Sequence, residues 1–356
     1  MGSRSVTAKD VAKAAGVSVA TVSRVVNGSP LVSDKLARRV WSAVRRLNYR
    51  RNILARGLKT NQTSTVGIIV PNIMNTFFTA VVRGVEDRAN QQGLNVILCN
   101  SDDNPDKEME YLSVLLDRQV DGLILAPAAA PSRHLAEDLA ERLSQVPMAF
   151  VDRRGWGDKR SVALVDNIQG AYCAVEHLIS LGHRRIGVVT GPLDLTTGAD
   201  RLEGYRLALA EHGIAYDERL LRVADFKVEQ AEASTRDLLE EVPPPTALFV
   251  ANNLMALGTL RAIRRKGLSV PDDIALVTFD DPEWAELVRP ALTVVAQPTY
   301  ELGACAMGLL LDELNGESGC AREVVLKCNL IVRESCGARL GRLAGAARDG
   351  GDDRIA

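Results

Sequence analysis

No apolar run in this 356-residue chain reaches the roughly 20 residues that a bilayer-spanning helix needs, and the opening MGSRSVTAKDVAKAAG lacks the apolar core of a secretory signal. A membrane protein is thereby excluded and a cytoplasmic one expected. The six cysteines, Cys99, Cys173, Cys305, Cys320, Cys328 and Cys336, include no C-x-x-C pair. The last three are evenly spaced, but their seven-residue gaps lack the tight turn that aims two sulfurs at one metal ion. They are expected to be reduced packing residues. Also missing are a G-x-S-x-G elbow, an H-E-x-x-H pair, a phosphate-binding loop and a G-x-G-x-x-G turn. His134, His177, His183 and His212 stand apart from any metal-ligand pattern. Neither catalysis nor a metal or cofactor is expected.

What the chain does have is an uneven charge. Its formal net charge of −2 hides a head, residues 1 to 60, with 13 basic and two acidic residues, and a remainder with 30 basic and 43 acidic. A head at +11 on a body at −13 points to a polyanion partner for the head alone.

Within that head Thr7 and Asp10 have the spacing of a capping pair before a helix over about 8–15, which Gly16 ends. Ser18 caps a second helix through about Val26, with Asn27-Gly28 as its stop, and Ser33 caps a third that aligns Leu36, Val40, Val44 and Leu47. Val11, Ala12, Val22 and Val25 share one core across the Gly16 turn, which is the helix-turn-helix pattern. The opposite side of the second helix then presents Ala20, Ser23, Arg24 and Asn27. Arg24 has the donors for a guanine edge, Ser18, Thr21 and Ser23 suit phosphates or bases, and Val19 and Ala20 suit thymine methyls. Double-stranded DNA is the expected partner.

The run TAKDVAKAAGVSVATVSRVVNGSPLVS, followed by LNYRRNILARGL, resembles the headpiece of the LacI family of bacterial transcription regulators, and the likeness continues through almost the whole chain. The resemblance implies that Thr7, Ser18, Thr21, Ser33 and Tyr49 lie near phosphates. It also implies that Val19, Ala20, Ser23, Arg24 and Asn27 face the major groove. Asn52, Ala55 and Leu58 fall in NILARGL, a segment too short to be helical alone and weakened by Gly57. In the family two such hinges pair on a bent operator, with the leucine that matches Leu58 wedged into the minor groove.

From residue 66 the runs VGIIV, NVILCN, GLILA and MAFVD, then RIGVVTG, ALFVAN and IALVTFD, alternate with helical stretches. That alternation predicts parallel sheets flanked by helices, in two lobes over about 66–165 and 166–292, with LTVVAQ and VVLKCNLIVR as added crossing strands. Ligands of such sheets bind beyond the carboxyl ends of the strands. Loops there carry Asn75, Phe77, Phe78, Asp152, Arg153, Arg201, Asn252, Asp280 and Gln297. Aromatic faces stack on sugar C–H groups, and Asp, Asn, Arg and Gln share out hydroxyl contacts. The set resembles that of ribose-type sugar-binding proteins. Singly, each residue has a plainer role: the phenylalanines as core, Asp280 as a cap, Asp152-Arg153 as an ion pair. A nucleobase effector is the alternative, from the loop GPLDLTTGADR that purine-responsive members share, although Leu195 stands where they carry arginine.

The expected fold class is therefore an all-α helix-turn-helix headpiece plus an α/β two-lobed periplasmic-binding-protein-like domain with parallel sheets. The headpiece is expected over 1–51, a hinge over 52–61, the effector and dimerisation domain over 62–338, and a disordered tail over 339–356. Function follows as a homodimeric, operator-binding repressor controlled by a small molecule, a sugar by preference. A freestanding sugar-binding protein needs an export signal and no basic head, and an enzyme needs catalytic groups that are missing.

Overall fold

A computed structural model describes residues 6–26, 31–49, 63–128, 136–156, 160–317 and 319–338. The expected hinge with Asn52, Ala55 and Leu58, the tail, and Asn27 lie outside these. The chain divides into two compact units between Thr63 and Ser64.

The first unit contains three helices, α1 (Ala8–Ala15), α2 (Val19–Val26) and α3 (Asp34–Arg46). Asp10 accepts from both the Thr7 amide (2.8 Å) and its hydroxyl (2.7 Å), fixing the start of α1. Gly16 ends it at φ +61, and the Val17 amide returns to the Ala12 carbonyl at 3.0 Å. Arg39 of α3 then donates to the Ala15 carbonyl at 2.7 Å, so one of the basic residues of α3 is a helix cap. Val11, Ala12, Ala15, Val22, Val25, Val40 and Ala43 form the core. Two expectations for α3 need correction. Ser33 holds the N-cap position but makes no side-chain capping bond, and Leu36 stays partly exposed while Ala43 takes the buried place.

The second unit is two α/β lobes. Lobe 1 runs through β1 (Thr65–Val70), α4 (Thr76–Gln91), β2 (Asn95–Asn100), α5 (Pro105–Asp117), β3 (Gly122–Leu125), α6 (Glu137–Ser144), β4 (Met148–Val151) and β5 (Ser161–Val165). Lobe 2 repeats the plan with α7 (Asn167–Ser180), β6 (Ile186–Thr190), α8 (Thr196–Glu211), β7 (Leu221–Val223), α9 (Val228–Leu238), β8 (Ala247–Val250), α10 (Asn253–Arg265), β9 (Ala275–Phe279) and β10 (Thr293–Ala296). The chain then returns to lobe 1 for α11 (Thr299–Leu314) and β11 (Glu323–Leu326), and crosses once more to end lobe 2 with β12 (Asn329–Ile331).

The sheets have the orders β11-β5-β4-β3-β1-β2 and β12-β10-β9-β8-β6-β7, parallel throughout except for β10 against β12. This corrects the lobe boundaries: LTVVAQ is an inner strand of lobe 2, and α11 packs in lobe 1 against α4. β5 and β7 were not anticipated. In each sheet the second strand lies on the opposite side of the first from all the others, so each has a switch point, at β1/β3 and β6/β8. The inner strands are buried on both faces, which explains their near-continuous Val, Ile and Leu. Of the cysteines expected to pack, Cys336 is buried, Cys320 is exposed and the others lie between. No helix of the described residues is long and apolar enough to cross a membrane.

Candidate functional site

In the first unit, α2 turns Val22 and Val25 inward and leaves Val19, Ala20, Ser23 and Arg24 exposed, with Thr21 at the margin. The Ser18 hydroxyl accepts from the Thr21 amide (3.1 Å) and lies 2.9 Å from the Thr21 hydroxyl, fixing the first turn. One helix face thus presents a guanidinium, a hydroxyl and two aliphatic side chains to solvent.

In the second unit a narrow cleft between the lobes is lined by all nine residues named from the sequence. Asn72, Asp103, Thr197, Phe226 and Leu254, which the sequence reading missed, complete the wall. Thr197 had a signal, because it stands one helical turn before Arg201. The phenylalanines sit in the first turn of α4, and Arg201 in α8, so these three are helix residues and not loop residues as expected.

Asp152 and Asp280 occupy matching places. Each follows the fourth strand of its lobe with positive φ, +67 and +73, and each amide bonds to the next strand, to Ala163 and Val295 at 2.9 Å. The Arg153 amide bonds back to the Val151 carbonyl at 2.7 Å, closing a three-residue turn that aims the Asp152 side chain into the cleft. Burial pushes that carboxyl up to about 6, although Arg153 and Arg201 oppose the shift. Asp280 accepts from the Asn253 amide (3.0 Å) and from the Gln297 side chain.

The plainer roles hold. Asn75 caps α4 by accepting from Phe77 (3.0 Å), and Asn252 caps α10 by accepting from Met255 (2.8 Å). Phe77 and Phe78 pack edge to face in the lobe 1 core. Arg201 donates to Asn167 (2.8 Å) and to the Ala251 carbonyl (2.5 Å), with its guanidinium 3.9 Å above the Phe279 ring. The Asn253 side chain donates across the cleft to Asn75 Oδ1 at 2.8 Å, joining the lobes. Asp152 Oδ1, Thr197 Oγ1 and Gln297 Oε1 are buried with no hydrogen-bond partner among the described residues.

The LacI family of bacterial regulatory proteins matches residues 7–52, and a periplasmic binding protein-like domain matches residues 175–336. The HTH-type transcriptional repressor PurR of Edwardsiella ictaluri is 38% identical over 333 residues, covering 92% of this chain and 96% of that protein. The chain belongs to the LacI family. As a LacI-family protein it is a DNA-binding transcription regulator with a periplasmic-binding-protein-like effector domain. Its fold matches that of a lac repressor dimer bound to operator and the anti-inducer ONPF, with TM-score 0.82 and 30% identity over 94% of this chain and 99% of that one. It also matches a complex of the transcriptional regulator CelR with cellobiose, with TM-score 0.69 and 34% identity over 93% and 99%.

Proposed function

We propose that this regulator is a homodimeric repressor whose effector is a small sugar held between the lobes. The observation that carries the effector reading is the group of buried, unpartnered atoms Asp152 Oδ1, Thr197 Oγ1 and Gln297 Oε1 in a cleft walled by Phe77, Phe78 and Phe226. A buried acceptor left unmade costs about 1–3 kcal/mol, and sugar hydroxyls supply the matching donors at an apolar ring face. Asn75, Asn252, Asp280, Arg153 and Arg201 frame the guest. The similarity to the CelR–cellobiose complex supports the same class. A purine guest is favoured by the similarity to PurR. Against it, Leu195 is buried in the lobe 2 core and offers the cleft no donor.

On the DNA side, Val19, Ala20, Ser23, Arg24 and Asn27 read the major groove, while Thr7, Ser18, Thr21, Ser33 and Tyr49 hold phosphates. The headpiece spans 1–51, the hinge 52–61 with Asn52, Ala55 and Leu58 on the minor groove, the effector domain 62–338 and a tail 339–356. Two copies on a palindromic operator double a small interface. The lac repressor dimer on its operator supports this arrangement. So does an apolar patch on lobe 1, where Ile73, Met74 and Leu98 are exposed and Ile73 is tied to the end of β2 by a 2.9 Å bond to Asn100. Effector binding shifts lobe orientation, which changes the hinges' ability to fold on DNA, and this requires unequal affinity for the two forms.

The test is a thermal-shift screen of neutral sugars and nucleobases, followed by an operator gel shift with each hit. A stabilising sugar that changes operator affinity supports the reading; stabilisation by nucleobases alone replaces the sugar with a purine.

A further inference from the structure

Resting on the sugar reading, we propose that Asp103 is a specificity-determining residue: it occupies Arg153, so that the cleft selects uncharged polyols and rejects sugar phosphates and sugar acids. An anionic guest needs a cation whose charge is not already compensated, and the cleft has two arginines. Arg201 donates through Nε to Asn167 and through Nη1 to the Ala251 carbonyl, and lays its flat face on Phe279. Arg153 is 4% exposed, donates through Nη1 to Asp103 Oδ1 and to the Pro127 carbonyl, both at 2.9 Å, and has its Nε, which makes no hydrogen bond among the described residues, 3.5 Å from Asp152 Oδ2. Its guanidinium lies between the Phe78 ring of lobe 1 and the Phe226 ring of lobe 2, 6.0 and 5.7 Å from their centroids. Three carboxylates, of Asp103, Asp152 and Asp280, therefore stand against two guanidiniums. A phosphate entering this cleft has to displace a buried ion pair and meets excess negative charge.

The backbone that delivers Asp103 is unusual. Asp102 and Asp103 are consecutive residues at φ +56 and +53, just beyond the edge strand β2, with the Asp103 amide held by the Pro71 carbonyl at 3.1 Å. Two consecutive non-glycine residues in the left-handed region are uncommon, and such outliers gather at ligand sites. The turn sends Asp102 outward to Lys107 and Asp103 inward to Arg153.

The test compares the full chain with Asp103→Asn, because asparagine tolerates positive φ and removes only the charge. Calorimetry would use neutral pentoses and hexoses, their phosphate esters, and inorganic phosphate alone. Wild type should bind none of the phosphorylated probes, and D103N should gain affinity for inorganic phosphate and the esters by about tenfold or more. Adding Arg153→Met should erase the gain, and Asp103→Gly, suited to the same φ, should repeat it if D103N fails to fold. Wild type taking an ester as tightly as its parent sugar, or no gain for phosphate in either Asp103 variant, would overturn the proposal. If no neutral sugar binds wild type yet D103N gains phosphate through Arg153, the charge gate stands and the sugar reading falls.

Discussion

Replacing Asp152 with asparagine should make the ligand-free protein more stable and the regulator less responsive. The Asp152 side chain is buried at the floor of the cleft, with Oδ1 unpartnered among the described residues, and its carboxyl is raised from an ordinary 3.8 to about 6, chiefly by burial. A folded value above the unfolded one means that the native state binds the proton more tightly. Stability from this group is therefore fully present below about 4, falls as pH rises through 4 to 6, and carries the whole penalty at neutral pH. The difference between those two values corresponds to about 3 kcal/mol. Asparagine is close to isosteric, tolerates φ +67 and carries no charge, so it removes the penalty without moving the backbone.

In a unit of this size the gain corresponds to about 5 °C in Tm at pH 8, shrinking to within about 1 kcal/mol of wild type by pH 4. The same substitution removes charge-assisted acceptors from sugar hydroxyls, which are worth about 1.5–3 kcal/mol, or roughly 10- to 150-fold in effector affinity. Differential scanning calorimetry from pH 4 to 8, paired with effector titration, checks both halves. A D152N protein no more stable than wild type at pH 8, or more stable by the same amount at pH 4, would refute the burial argument. Intact effector affinity would refute the assignment of Asp152 to the ligand.

Arg24→Ala should cost about 1–3 kcal/mol at the cognate operator and relax specificity at one base pair, measured by competition gel shift; a uniform loss across unrelated sequences would make Arg24 a phosphate contact instead. Asn253→Ala removes the 2.8 Å inter-lobe bond to Asn75 and should weaken effector binding by about 0.5–1.5 kcal/mol and shift ligand-free operator affinity as well, because the same bond holds lobe orientation, read by calorimetry and gel shift on one preparation. Gly303→Ala places a methyl 1.9 Å from the Val81 carbonyl oxygen where α11 crosses α4, so urea unfolding should show a loss of about 1–3 kcal/mol. Gly308→Ala, on the same helix with nothing within 4 Å of the added carbon, should instead gain about 0.5–1 kcal/mol.

What could be read from the chain, and what could not, follows from where the information lies. Asn75, Asp152, Asn252, Asp280 and Gln297 come just after strong apolar runs. Parallel strands all deliver their carboxyl ends to one edge, so position along the chain sufficed to place them at the cleft. Asp103 and Phe226 follow the edge strands β2 and β7 and reach the cleft only through turns of consecutive non-glycine residues at positive φ, which no residue type announces. The three-residue strand β7 was itself too short to register. Return of α11 and β11 to lobe 1 was equally hidden, because it depends on pairing Glu323 with Val162 across more than a hundred intervening residues. The plain roles hold, and they bear on mechanism under the proposed reading. Asp280 holds the Asn253 amide at the start of α10, and the Asn253 side chain bonds to Asn75, the cap of α4 in the other lobe. A ligand that draws on Asp280 thus pulls on the same short run of bonds that joins the lobes. The cleft needs no separate relay to make lobe orientation depend on what it holds.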